Sequence, residues 1–157
     1  MTANSGRTHS KWLTVKINNA AGALTDVSAY VNTVGQFGLT YDTQDVTAFL
    51  DAIKNIVLGQ PGAPITLGGP IDTVIVTHFA VAGITGSNTP VSLDLEMGIR
   101  HAWEAGEPQF GMTKSSTSGY LVSSFMVDPV ANTWSATLDV FGPTAPAFGT
   151  GAETSGN

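Results

Sequence analysis

Three histidines, a closely spaced pair of carboxylates, a run of hydroxyls and three tryptophans are the residues of this chain whose types could do chemistry. His9, His78 and His101 lie far apart in sequence; none belongs to an HExxH pair, and no Asp or Glu stands at a spacing that sets a metal site by itself. His78 reads as a strand histidine with a hydrogen-bonded or solvated ring. Ser115, Ser116 and Ser118 occupy a Gly-flanked stretch with no GxSxG pattern, so turn chemistry accounts for them more economically than a nucleophile does. Asp94 and Glu96 are two residues apart and would share one strand face with side chains about 7 Å apart, the reach of an acid/base pair. Charges solvated on the outside of a strand are the plainer reading. Trp12, Trp103 and Trp134 would form a sugar-stacking surface only by converging, and two of them sit in strands, where core or interface packing is commoner. The segment from Gly59 to Pro70 has glycines but no GxxxxGK(S/T), and its prolines remove amides that a phosphate cradle uses; it reads as a connection. With no cysteine, disulfides, thiolate zinc sites and a cysteine nucleophile are excluded. No catalytic, cofactor-binding or metal-binding residue is assigned.

The elements that must position these groups belong to a chain of 157 residues, 42% hydrophobic and only 11% charged, with 18 glycines. That composition suits one globular domain with many turns. Twelve acidic against six basic residues give a net charge of -6, which disfavours clamping of nucleic-acid phosphates. The amino terminus lacks the apolar core of a secretory signal, and no run of about 18 apolar residues is present to span a bilayer, so a soluble chain made in a cytoplasm is expected. Residues 1–10 and 142–157 read as flexible arms around a core of residues 11–141.

Within the core the dominant period is two. Leu13, Val15 and Ile17 alternate with Thr14, Lys16 and Asn18, predicting a half-buried strand over Lys11 to Asn18. From Val91 to Arg100, apolar Val91, Leu93, Leu95, Met97 and Ile99 alternate with Ser92, Asp94, Glu96, Gly98 and Arg100, predicting a strand with Asp94 and Glu96 towards water. Ile71 to Val81 is more apolar than the other strands, with Val74, Ile75, Val76 and Phe79 interleaved with Thr73, Thr77 and His78, as in a central strand covered on both sides. Gly119 to Val127 and Thr133 to Phe141 flank a Pro- and Asn-containing turn and predict an antiparallel hairpin. Between Val46 and Leu58 the spacing becomes helical, with Asp45 as N-cap and Gly59 and Pro61 as a stop. His101 to Thr117 reads as a long loop. The expected fold is mainly β, an antiparallel sandwich or barrel-like arrangement with one flanking α-helix.

The runs Asp26 to Val34, Asp45 to Phe49 and Gly62 to Asp72, with Val122 to Phe125 and Ala136 to Gly142, resemble the pattern of major tail tube proteins of long-tailed bacteriophages over about residues 12 to 150. Leu50 stands where that family more often has Gly, which favours a longer helix here. The resemblance implies a β-sandwich flanked by a helix, assembled in the host cytoplasm into hexameric rings. The rings stack into a virion tail tube for genomic DNA, with the tape-measure protein and other tail proteins as partners, no membrane and no cofactor. An acidic wall would let DNA slide, making Asp94 and Glu96 the candidate lumen-facing charges. A capsid decoration protein of the same broad fold is the alternative. An enzyme or carbohydrate-binding module is the third reading, separated from the others by a convergent polar pocket.

Overall fold

The computed structural model describes residues 12–156; the expected arm at residues 1–10 lies outside them. The strands are β1 (Leu13–Asn18), β2 (Leu24–Asp26), β3 (Thr33–Val34), β4 (Thr40–Asp45), β5 (Ile56–Gly62), β6 (Ile65–Pro70), β7 (Leu93–Met97), β8 (Gln109–Met112), β9 (Gly119–Asp128), β10 (Thr133–Phe141) and β11 (Ala147–Gly149). Helix α1 (Thr73–Val76) falls between β6 and β7. A five-stranded sheet has the order β11-β8-β7-β1-β2, a four-stranded sheet the order β3-β6-β10-β9, and β4 pairs with β5 alone. Every pairing is antiparallel.

The period-two readings of β1, β7, β9 and β10 correspond to strands, because each has an apolar face with somewhere to go. Val15 and Ile17 stand opposite Leu95 and Leu93 in the β1–β7 register. These four join Phe110 from their own sheet and Ile65, Leu67, Tyr120, Val122, Trp134 and Leu138 from the four-stranded sheet in one buried cluster, so the two sheets form a sandwich. The β9–β10 turn is closed by Asp128, whose Oδ1 accepts from the amides of Val130 and Ala131 at 3.0 and 3.1 Å, while Asn132 takes a left-handed φ of 58°.

Five expectations are corrected. Residues Ile71 to Val81 are not a strand: Asp72 caps a helix by accepting from the Val74 amide at 2.8 Å, and α1 runs on into a π-helical turn at Thr77–Val81. Ile75 and Phe79, four apart, then face the core together, where Phe79 meets Phe125 and Trp134 at ring-centroid distances of 5.4 and 5.5 Å. Residues 46–58 are not a helix but the end of a β-hairpin, in which Asp45 caps a turn through the Thr47 amide and Asn55 bonds back to Thr47 Oγ1. A helical stripe needs a surface to bury it, and none is supplied there. The Gly59-to-Pro70 connection contains the end of β5 and all of β6, and the 101–117 loop contains β8. The C-terminal residues expected as an arm form β11, whose Phe148 packs on Phe110 with centroids 4.7 Å apart.

Candidate functional site

Strands β4 and β5 with their connection make an arm on which nearly every side chain is exposed. Its apolar content is high: Phe49 and Leu50 are fully exposed, Ile53 is 75% exposed, and Val46, Ile56, Val57 and Leu58 are about half exposed. In an extended hairpin these residues share no single face, since Ile56, Val57 and Leu58 are consecutive in β5 and alternate sides, and none of them joins the buried cluster of the described residues. Exposed apolar side chains gathered on one arm are the mark of an interaction surface.

Asp94 and Glu96 do not face water. They are 0% and 3% exposed, on the face of the five-stranded sheet opposite Leu93 and Leu95. Alternation fixes which residues share a face but not whether that face is covered. Lys16 Nζ lies 3.2 Å from Glu96 Oε1. Gln109 Nε2 donates to Asp94 Oδ1 at 2.9 Å and to Glu153 Oε1 at 3.2 Å, and Thr113 Oγ1 donates to Glu153 Oε2 at 2.7 Å. Asp94 Oδ2 and Glu96 Oε2 are buried without a hydrogen-bond partner among the described residues. Burial pushes the Asp94 carboxyl up to about 7; the neighbouring Glu96 carboxylate adds to the rise, while the Gln109 hydrogen bond and the Lys16 charge oppose it.

The outward face of the four-stranded sheet carries Thr66 from β6, Ser124 from β9 and Thr133, Ser135, Thr137 and Asp139 from β10, with Ser123 Oγ donating to Asp139 Oδ2 at 3.0 Å at the bulge. No lysine or arginine occurs in the four strands of that sheet.

The remaining candidates are not brought together. His78 lies on the π-helical turn rather than on a strand; burial holds its imidazole below the usual value. Ser115 accepts from the amides of Thr117 and Ser118 and closes a turn. Trp134 is a core residue whose Nε1 donates to the Tyr30 carbonyl, so it presents no indole face for sugar stacking, while half-buried Trp103 donates its Nε1 to the carbonyls of Glu107 and Pro108. His101, Glu104 and Glu107 bring one ligand-type atom each within 4.8 Å, a grouping that no linear motif announced. Both Glu107 oxygens already accept from backbone amides, of Glu104 and Ile99, which makes Glu107 the brace of this turn. The groove of about 500 Å³ beside β1, lined by Leu13, Val15, Ser28, Val31, Asn32, Thr33 and Val34, holds no titratable side chain.

No protein-family model and no curated protein matches the sequence. Solved structures do match by shape. A chain of the sheath–tube complex of the PVC extracellular contractile injection system, in the extended state, superposes with a TM-score of 0.62 at 12% identity, covering 96% of each chain. A chain of the PVC sheath/tube terminator in the extended state gives 0.54 at 11% identity, covering 86% of this chain and 92% of that one. A chain of the anti-feeding prophage cap, the AFP tube-terminating cap, gives 0.56 at 11% identity, covering 92% and 91%. At this identity the likeness establishes the fold: mainly antiparallel β-sheet with one short helix, shared with chains of these injection machines almost end to end.

Proposed function

We propose that the chain is a structural, non-enzymatic subunit of a phage-type tail tube, in which copies form hexameric rings that stack into a conduit for DNA inside the virion tail. The observation that carries this reading is the arm of β4 and β5: its apolar side chains are left exposed among the described residues, and a second copy is the partner every assembling subunit has at hand. An arm and the surface that receives it are different patches, so the contact is head-to-tail, and such contacts close into rings or run on as filaments. Among the described residues the sandwich edges at β2, β3 and β11 have no further strand partner, whereas the edge of β9 is already bonded at Tyr120 and Val122 by Val91 and Gly86; pairing of the open edges with neighbours would remove them as aggregation hazards. The fold shared with chains of a sheath–tube complex supports the same reading.

The wall offered to DNA is assigned to the outward face of the four-stranded sheet in place of Asp94 and Glu96. Its hydroxyls, Met126 and Asp139 offer phosphates no cation to pair with. The tape-measure protein is the expected partner within the bore.

A second reading, a subunit that ends the tube, is favoured by the likeness to the terminator and cap chains. Electron microscopy of the purified chain separates them. Rods or stacks of rings support the tube subunit, single rings that do not stack support the terminator, and monomers at all concentrations overturn both.

A further inference from the structure

The face of the five-stranded sheet that holds Asp94 is also the face on which the end of the chain lies. Ser155 O accepts from Ser92 Oγ at 2.9 Å and from Asn18 Nδ2 at 3.1 Å; the Thr154 amide donates to Thr113 Oγ1 at 2.9 Å; Thr150 O accepts from the Gly106 amide at 2.8 Å. Glu153 is joined to Asp94 through a single amide group, because Gln109 Nε2 donates to both carboxylates. The groups facing Asp94 are Lys16 from β1, Glu96 from its own strand and the uncharged Gln109 from β8, beyond which stands Glu153. Three carboxylates thus answer to one ammonium, and the ammonium is spent on Glu96.

We propose that a proton on Asp94 Oδ2, directed at Glu96 Oε2, is the latch that keeps residues 150–156 on the sheet, and that its loss to solvent as mildly acidic solution is brought to neutral frees them. The proton gives a partner to both buried oxygens that otherwise have none. With Asp94 protonated the four groups Lys16, Asp94, Glu96 and Glu153 sum to -1; with Asp94 ionised they sum to -2. Asp94 and Glu96 are held mid-strand between β1 and β8, so Glu153, outside every strand and attached through Gln109 and Thr113, is the carboxylate that can leave for water. Burial raises Asp94 in the docked state. Docking is therefore favoured at low pH, weakens as pH climbs from the ordinary carboxylate range towards about 7, and stays weak above it.

This latch belongs to the single chain and does not depend on its assembly. Hydrogen exchange at the Thr154 and Gly106 amides of the intact chain, corrected for intrinsic rates, tests it. Protection is expected to fall about tenfold or more between pH 5.5 and pH 8.5. In Asp94→Asn, whose amide donates to Glu96 without titrating, protection should stay high and flat, and in Glu96→Gln the transition should move to lower pH. Equal protection at both pH values in the natural chain, or an unchanged fall in Asp94→Asn, overturns the proposal. If Asp94→Asn does not fold, a carbon-13 titration of the Asp94 carboxyl in the natural chain decides: a midpoint below about 5 overturns it.

Discussion

Lys16 Nζ lies 3.2 Å from Glu96 Oε1, although the strand register sets Lys16 directly opposite Asp94. The side chain leans two register positions along the sheet, a diagonal reach that long side chains make across antiparallel strands. Asp94 is left to Gln109 for its hydrogen bond, and the unequal sharing of one cation between two buried acids sets the electrostatics of this face.

Replacing Lys16 by Met keeps the aliphatic stem and strips Glu96 of its counter-charge. Because the lysine side chain is 31% exposed, water screens part of the loss, and a destabilisation of about 1–3 kcal/mol is expected rather than the larger cost of a fully buried pair. The double variant Lys16→Met with Glu96→Gln should recover most of it. Urea unfolding at pH 7 measures both, and a double variant less stable than the single one would contradict this pairing.

Two buried groups tilt the pH dependence of stability in opposite directions. Asp94 sits at about 7 in the folded chain against an ordinary 3.8, so its unfavourable contribution grows as pH rises from about 4 and is complete above about 7. His78 is held below 6.5 by burial; it favours the folded chain above 6.5, and that contribution is lost as pH falls. The two overlap in the mildly acidic range and partly cancel. Removing one exposes the other: between pH 4.5 and 7 the thermal midpoint of Asp94→Asn should gain more with rising pH than that of the natural chain, and His78→Gln should gain less. Parallel profiles for all three chains would refute the assignment.

How much of this was legible in the sequence depends on what a period can encode. The hairpin of β9 and β10 was readable because alternation and turn chemistry agree there, with Asp128 and Asn132 placed where the turn uses them. The segment after Asp72 carried a cap and the four-residue spacing of Ile75 and Phe79, yet its β-branched run spoke louder, and packing against Trp134 overrode that propensity. Residues 46–58 show the opposite failure. Their helical spacing is real, but amphipathicity states only that one side seeks apolar company and says nothing about who provides it. Alternation puts Asp94 and Glu96 on one face, whereas the burial of that face depends on Gln109, 15 positions after Asp94, and on Glu153, a further 44 positions along. Contacts of that range leave no local trace.

Gly69 is a position where only the absent side chain allows the fold. A Cβ there would overlap the carbonyl oxygen of Tyr30, the same oxygen that accepts from Trp134 Nε1. Gly69→Ala must push the Tyr30 turn off the sheet or break that hydrogen bond and reseat a buried indole, so a loss of about 2–4 kcal/mol is expected. Gly83→Ala is the comparison, since nothing stands within 4 Å of its Cβ and only its left-handed φ of 79° resists; about 1 kcal/mol is expected. Denaturant midpoints for the pair test whether crowding or conformation governs, and a larger loss at Gly83 would reverse the argument.

The arm separates folding from assembly. Phe49 and Leu50 are fully exposed at its end and contribute nothing to the buried cluster, so replacing both by Asp should leave the unfolding free energy of the isolated chain within about 0.5 kcal/mol. Association should respond strongly, because two acidic groups would have to be desolvated wherever those rings are buried in a neighbour. Their share of the contact is large: an aromatic side chain alone buries about 150–250 Å², a sizeable part of the roughly 800 Å² per partner that a stable interface uses. Sedimentation velocity across a concentration series should therefore find the natural chain in large species and the double variant monomeric, with identical far-UV spectra. If the variant assembled as readily as the natural chain, the arm would be acquitted of any role in assembly; if it unfolded, these side chains would have to be packing on their own domain, contrary to their exposure.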